Sequence, residues 1–124
     1  MVVGVARLQL HIPAARSLKD RRMVVRKATD RVRARYNASI ADVGDTERWQ
    51  VVTLGVAVVS NVPSHAREVL DKVIATVESS IAGEAMVTWR ETDVQTHASD
   101  DPVGRPGPRG LAALDEEDSD DEPT

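Results

Sequence analysis

The clearest indication of the fold lies in residues 49–61, whose sequence is WQVVTLGVAVVSN. Valine, threonine and leucine dominate this segment, and such residues favour β-strands. Apolar side chains occupy both alternating sets of positions, which is typical of a strand that is covered on both faces. The segment therefore predicts a central strand of a sheet, with the other elements arranged around it.

Three elements are predicted before this strand. Residues 2–12 alternate between apolar and mixed positions, which predicts a strand with one face in the core. Ser17 and Asp20 have the spacing of a capping box and predict a helix over about 18–36. Residues 39–43 predict a short strand. The predicted apolar face of the helix consists of Leu18, Val25, Ala28, Val32 and Tyr36.

Two further elements are predicted after it. Pro63 lies in the first turn of a second helix, and Gly83 follows its end. Residues 86–96 predict a last strand. Trp49 and Trp89 are expected to pack at the ends of the sheet, and an exposed one would be an anchor of an interface. The apolar stripe of the second helix consists of Ala66, Val69, Leu70, Val73, Val77 and Ile81.

The resulting order is β-α-β-β-α-β, which predicts an α+β, ferredoxin-like two-layer sandwich. Right-handed crossovers make the first and third strands central and place both helices on one face of the sheet. The other face then exposes either Val51, Ala57 and Val59 or the opposite alternating set of this strand. An open apolar face predicts a partner, most simply a second copy in a homodimer. The alternative is a face shielded by the protein's own loops.

The 124 residues carry a formal net charge of −4, but the charge is unevenly distributed. Residues 1–97 hold 14 basic and 11 acidic residues, whereas residues 98–124 hold two basic and nine acidic ones. The second segment is rich in proline and glycine and ends in an acidic run. We therefore predict one folded domain over residues 1–97 and a disordered acidic C-terminal tail over residues 98–124.

Several classes of function are disfavoured by the composition. The chain has no cysteine, which excludes disulfides and Cys-ligated metals, and no run of about 18 apolar residues for a membrane span. The first residues do not resemble a secretory signal, so we expect a cytoplasmic protein without membrane contact. His11, His65 and His97 lack metal-ligand spacing. We predict no cofactor, no metal site and no catalytic constellation.

The first predicted helix is strongly basic. Nine basic residues and two acidic ones lie between Arg16 and Tyr36. At 100° per residue, Lys19, Arg26 and Arg33 form a basic stripe roughly 21 Å long, which is suited to contact several phosphates. The residues predicted to contact nucleic acid are Arg16, Lys19, Arg22, Arg26, Lys27 and Arg33. A solvated helix face and an acidic protein partner remain alternatives.

The central strands lack the aromatic residues with which sheet-based RNA-binding domains stack bases. Any RNA contact is therefore expected to be electrostatic and strongly dependent on salt. Arg7, Gln9 and His11 form a polar row on the first strand, on the face away from the helices. This row predicts either a small polar site or, more simply, a half-exposed strand face or dimer seam.

Three segments together resemble a known family: residues 2–13, residues 15–22 with Ser17-Leu18-Lys19-Asp20-Arg21-Arg22, and residues 49–61. They are similar to the YlxP-like family of small bacterial proteins, which is classed as a domain of unknown function. The resemblance implies a ferredoxin-like fold. Genes of this family often lie beside those for a translation initiation factor and a ribosome-binding factor, which implies a role near translation or ribosome maturation.

Two functional hypotheses follow from the sequence. The first is a non-catalytic accessory protein that contacts ribosomal RNA or a ribosomal subunit through its basic first helix. The second is a dimeric scaffold or small-ligand-binding module that acts through the open face of its sheet.

Overall fold

The computed structural model describes residues 1–44 and 47–98. The elements in chain order are β1 (Val2–His11), α1 (Leu18–Arg35), β2 (Ser39–Asp42), β3 (Val51–Ser60), α2 (Pro63–Ile81) and β4 (Met86–Thr96). All six predicted elements are present, and the predicted ends of the strands and of α1 differ from these by at most two residues. The predicted disordered tail lies, apart from Ala98, outside the described residues and stays a prediction.

The four strands form one antiparallel sheet in the order β2-β3-β1-β4. Strands β1 and β3 are central, as predicted, and they pair so that Ala6 lies opposite Val56 and Arg7 opposite Gly55. Both helices cover the same face of this sheet. This is the predicted ferredoxin-like α+β sandwich of two layers.

The core lies between the sheet and the two helices. The strand positions predicted to face the core are buried, among them Leu8 and Leu10 on β1 and Leu54 on β3. A Cβ atom on Gly4 would lie 3.0 Å from Leu70 Cδ1, so the absence of a side chain there lets α2 approach β1 closely. The buried residues of α2 are Ala66, Leu70, Val73, Ile74, Thr76, Val77 and Ile81.

The core face of α1 differs from the predicted one. Leu18 was expected to face the core but is 42% exposed, and Val25 is only half-buried. Arg21 takes part in the buried face instead, because its guanidinium group has hydrogen-bond partners in the connection between β2 and β3. The buried residues of α1 are Arg21, Val24, Ala28, Thr29 and Val32.

The face of the sheet opposite the helices is open in the single chain. Val59 of β3 is 68% exposed, and Val5 of β1 is 42% exposed. Val43, which follows β2, contacts the open side of Gly55, yet it is itself 59% exposed. Of the two alternating sets that the sequence left open, the one with Val51, Ala57 and Val59 faces away from the helices, and the described residues cover only the other face of β3 fully.

Candidate nucleic-acid interface

The start of α1 is fixed by two hydrogen bonds of Asp20. The backbone N–H of Asp20 donates to Ser17 Oγ (3.1 Å), and Asp20 Oδ2 accepts from the backbone N–H of Arg16 (2.9 Å). The first bond satisfies an N–H group that the helix itself leaves without a partner. The predicted cap by Ser17 is confirmed, whereas the Asp20 carboxylate binds the residue before the N-cap instead of Ser17 itself.

Three basic residues form a surface that we call the basic face of α1: Lys19, Arg22 and Arg26. All three are exposed, and at 100° per residue they fall within about 60° of one another. Within the part of the chain that the structure describes, none of their charged groups makes a hydrogen bond or an ion pair. These cations are therefore free to bind an anionic partner.

The other predicted contact residues differ from these three. Lys27 forms an ion pair with Glu84. Arg33 donates from Nη2 to the carbonyl oxygen of Ile40 (2.7 Å), and its Nη1 lies 3.9 Å from Asp30. The predicted stripe from Lys19 to Arg33 is thus not a continuous row of free cations. Arg16 is exposed in the loop just before α1, so the predicted contact residues without internal partners lie before the helix or in its first half.

Arg21 has a structural role that the sequence did not reveal. Its side chain is 3% exposed and forms an ion pair with Asp42. Its Nε donates to the carbonyl oxygens of Arg48 (3.1 Å) and Val51 (3.3 Å). One side chain therefore joins α1 to both ends of the β2–β3 connection. The only local signal for it was an aspartate at the end of the short strand.

Both tryptophans are substantially exposed, so the prediction that they pack at the ends of the sheet is wrong. Trp49 is 48% exposed and Trp89 is 45% exposed. Trp89 lies on β4, where the Arg7 guanidinium carbon is 5.3 Å from the centre of its ring. Trp49 lies just before β3, beside His11 and Val51 at the edge of the open face.

The polar row on β1 does not converge into one site. Arg7 Nη2 lies 2.7 Å from Glu91 Oε1, and Gln9 Oε1 lies 3.3 Å from Thr88 Oγ1. His11 borders a separate shallow depression together with residues 48–51. Each member of the row thus has its own surroundings, which are those of a half-exposed strand face.

Among residues 1–44 and 47–98, no three histidine, aspartate or glutamate side chains lie close enough together to hold a metal ion. In the same residues, no helix combines the length and the apolar character needed to cross a bilayer.

Solved structures with similar folds have low sequence identity to this chain. A putative chlorite dismutase has a TM-score of 0.48 and 14% identity, and the match covers 76% of this chain and 44% of that one. This chain thus spans less than half the length of that protein. A de novo designed protein with a ferredoxin fold has a TM-score of 0.46 and 14% identity over 86% of this chain and 96% of its own.

Sequence comparison gives a specific relationship. The chain is 31% identical over 90 residues to the uncharacterized protein YlxP of Bacillus subtilis (strain 168), a match that covers 73% of this chain and 98% of that protein. The family described as "Protein of unknown function (DUF503)" matches residues 3–90, which is most of the folded domain. The resemblance found from the sequence is confirmed, and the chain belongs to the DUF503 family.

Proposed function

We propose that this protein is a non-catalytic, cytoplasmic accessory protein that binds ribosomal RNA, alone or within a ribosomal subunit, through the basic face of α1. One observation supports this proposal: the charged groups of Lys19, Arg22 and Arg26 are exposed and have no hydrogen bond or ion pair among the described residues. RNA is the partner whose phosphates match such a surface.

The free state of these cations matters for affinity. A cation that already pairs with a carboxylate, as Lys27 does with Glu84, must give up that partner before it contacts a phosphate. Lys19, Arg22 and Arg26 give up only water and small counterions. Because the release of counterions from the nucleic acid favours binding at low salt, about three phosphate contacts should give log K against log salt a slope of about −2.

The sheet is less suited than the helix to contact RNA. The open-face residues of the two central strands include Arg7, Gln9 and several valines, and no aromatic residue lies within β1 or β3. Base stacking across the middle of the sheet, as in RNA-recognition motifs, therefore has no platform in these strands.

The test is charge reversal on α1, with a matched change on α2 as control. We expect the Lys19→Glu/Arg22→Glu/Arg26→Glu variant to bind a ribosomal RNA fragment about 100-fold more weakly than wild type at low salt, because three attractive contacts become repulsive. The control is Arg67→Glu/Lys72→Glu, which also reverses exposed cations but lies on the other helix. Equal affinity of wild type and the α1 variant would contradict the proposal.

A second candidate function is supported by the open face of the sheet. Val5, Val43 and Val59 are exposed, and the first two line a shallow depression of about 530 Å³ that is mostly apolar. Exposed apolar surface of this kind favours a partner, and a second copy of the chain meets it through a two-fold axis. We propose that this face forms a homodimer, which makes the protein a dimeric scaffold.

Light scattering after gel filtration tests the dimer. We expect wild type to elute as a dimer and Val51→Lys/Val59→Lys to elute as a folded monomer, because two buried ammonium groups per subunit would oppose the contact. Ala75→Lys, at an exposed position of α2, is the control for added charge away from the sheet. A monomeric wild type at high concentration would remove this second candidate.

A further inference from the structure

Trp49 is an exposed side chain on a backbone that is anchored on both sides. The carbonyl oxygen of Arg48 accepts a hydrogen bond from Arg21 Nε (3.1 Å). The carbonyl oxygen of Gln50 accepts from the backbone N–H of Ile12 (2.8 Å), and the Gln50 side chain donates to carbonyls of the loop before α1. A 48% exposed indole on a fixed backbone loses little conformational entropy when a partner packs on it.

The anchoring contacts join the backbone around Trp49 to the N-terminal part of α1, where the basic face begins. Arg21, whose Nε donates to the Arg48 carbonyl oxygen, directly precedes Arg22 in the second turn of the helix. At 100° per residue, Arg22 is about 100° around the helix from Arg21, on the side that leads to Lys19. Arg48 is itself exposed and adds a further cation next to Trp49 in the chain.

This combination has a defined binding chemistry. Proteins hold single-stranded nucleic acid with cations that follow the backbone and with aromatic side chains on which bases stack. A duplex offers the same phosphates, but its bases are already stacked and paired. We propose that Arg48 and Trp49 extend the basic face into a site for single-stranded RNA, in which one base stacks on Trp49 while Arg22 and Arg48 contact adjacent phosphates. This inference rests on the proposed RNA binding and adds that the bound RNA is single-stranded.

Trp89 is the natural comparison within the same molecule. Its ring already has the Arg7 guanidinium over it at 5.3 Å, and Arg7 is held there by Glu91. Within residues 1–44 and 47–98, no cation occupies the corresponding place over Trp49. The two tryptophans are almost equally exposed but differ in whether a ring face is free, so substitutions at Trp89 are a matched control for substitutions at Trp49.

The experiment uses Trp49 as its own reporter. The chain has two tryptophans, so full-length Trp89→Phe leaves Trp49 as the single indole fluorophore. This variant is titrated with a single-stranded oligouridylate of about 12 nucleotides, a length within the range of single-stranded binding sites, and with an RNA duplex of equal length. We expect the oligouridylate to quench the Trp49 emission and the duplex to leave it unchanged. Binding of the oligouridylate without quenching would overturn the inference.

Affinity measurements on further variants complete the test. Trp49→Ala should weaken oligouridylate binding about tenfold or more, whereas Trp49→Phe and Trp89→Ala should retain most of the affinity. Circular dichroism checks that each variant is folded. If Trp49→Ala binds as wild type does while charge reversal on α1 abolishes binding, the inference fails and the proposed function stands.

Two other outcomes are also decisive. If wild type binds neither RNA at low salt, both the proposed function and this inference fail. If Trp49→Ala instead converts a dimer to a monomer in light scattering, Trp49 is a contact between two copies of the chain, and the inference is overturned.

Discussion

The two helices lie side by side on the same face of the sheet. They resemble each other on the side that packs in the core and differ on the side that faces away from it. Their inner surfaces are similar, since both present mainly small and branched residues to the core, although that of α1 also contains the buried Arg21. Their outer surfaces differ in charge. Helix α1 has eight basic and two acidic residues, whereas α2 has two basic and three acidic ones.

The difference extends to how the charges are paired. On α2, Glu68 pairs with Lys72 at 3.2 Å, and Glu78 lies 3.8 Å from Arg90 of β4. On α1, the basic face has no such partners among the described residues. Packing on the sheet requires only the inner surfaces, and unpaired like charges repel one another. Packing therefore does not require the surplus charge of α1, which agrees with the proposed role of this helix in binding.

The largest expected effect separates two adjacent arginines of α1. Arg21→Met removes the partner of Asp42 and two hydrogen bonds to carbonyl oxygens, so we expect the free energy of unfolding to fall by about 3 kcal/mol. Arg22→Met removes an exposed cation without internal partners and should change it by less than about 0.5 kcal/mol. Urea unfolding of both variants measures these values.

For RNA affinity, we expect the opposite ranking of these two variants, with the larger loss in Arg22→Met. Arg22→Met removes one phosphate contact and weakens binding, while any folded Arg21→Met retains the basic face. Similar free energies of unfolding for the two variants would show that the Arg21 contacts do not stabilise the fold. The inner and outer arginines of α1 would then not differ in their structural role.

An intermediate effect is expected where the two helices touch. Tyr36 Oη, at the end of α1, lies 2.9 Å from Thr76 Oγ1 of α2. Tyr36→Phe keeps the ring and removes this hydrogen bond, so we expect a loss of about 1 kcal/mol in the free energy of unfolding. A double-mutant cycle with Thr76→Val isolates the pair. A coupling energy near zero would mean that this bond does not join the helices.

The smallest effect is expected on the outer surface of α2. Lys72→Ala breaks the exposed ion pair with Glu68, and thermal unfolding should show a change of no more than about 0.5 kcal/mol. RNA affinity should not change, because this cation lies on the helix that carries no basic face. A marked loss of RNA affinity would show that the binding surface includes α2 and would contradict its assignment to α1 alone.

Most of the fold could be predicted because its determinants are local or periodic. The alternation in β1 and β3 identified the buried side of the sheet, and the crossover rule identified the central strands. The inner face of α1 was the exception. The predicted inner face did not include Arg21, because its partners, Asp42 and the carbonyl of Arg48, lie 21 and 27 residues away. No periodic pattern contains that pairing.

The candidate site was predicted only in part, again because some contacts join residues that are distant in the chain. The sequence identified a basic helix, but it did not show that Lys27 and Arg33 have internal partners, because Glu84 and the carbonyl of Ile40 reach them only in the folded chain. It also placed Trp49 in a packed environment, since tryptophans are usually well buried. The structure instead leaves Trp49 exposed on an anchored backbone.

The salt dependence of RNA binding tests the central claim most directly. The full-length protein and its Lys19→Glu/Arg22→Glu/Arg26→Glu variant are titrated with a ribosomal RNA fragment between about 50 and 200 mM salt. We predict that log K for wild type falls against log salt with a slope of about −2, and that the variant shows little binding and a slope near zero. An equal slope and affinity for the two proteins would contradict the assignment of the basic face of α1 as the RNA-binding surface.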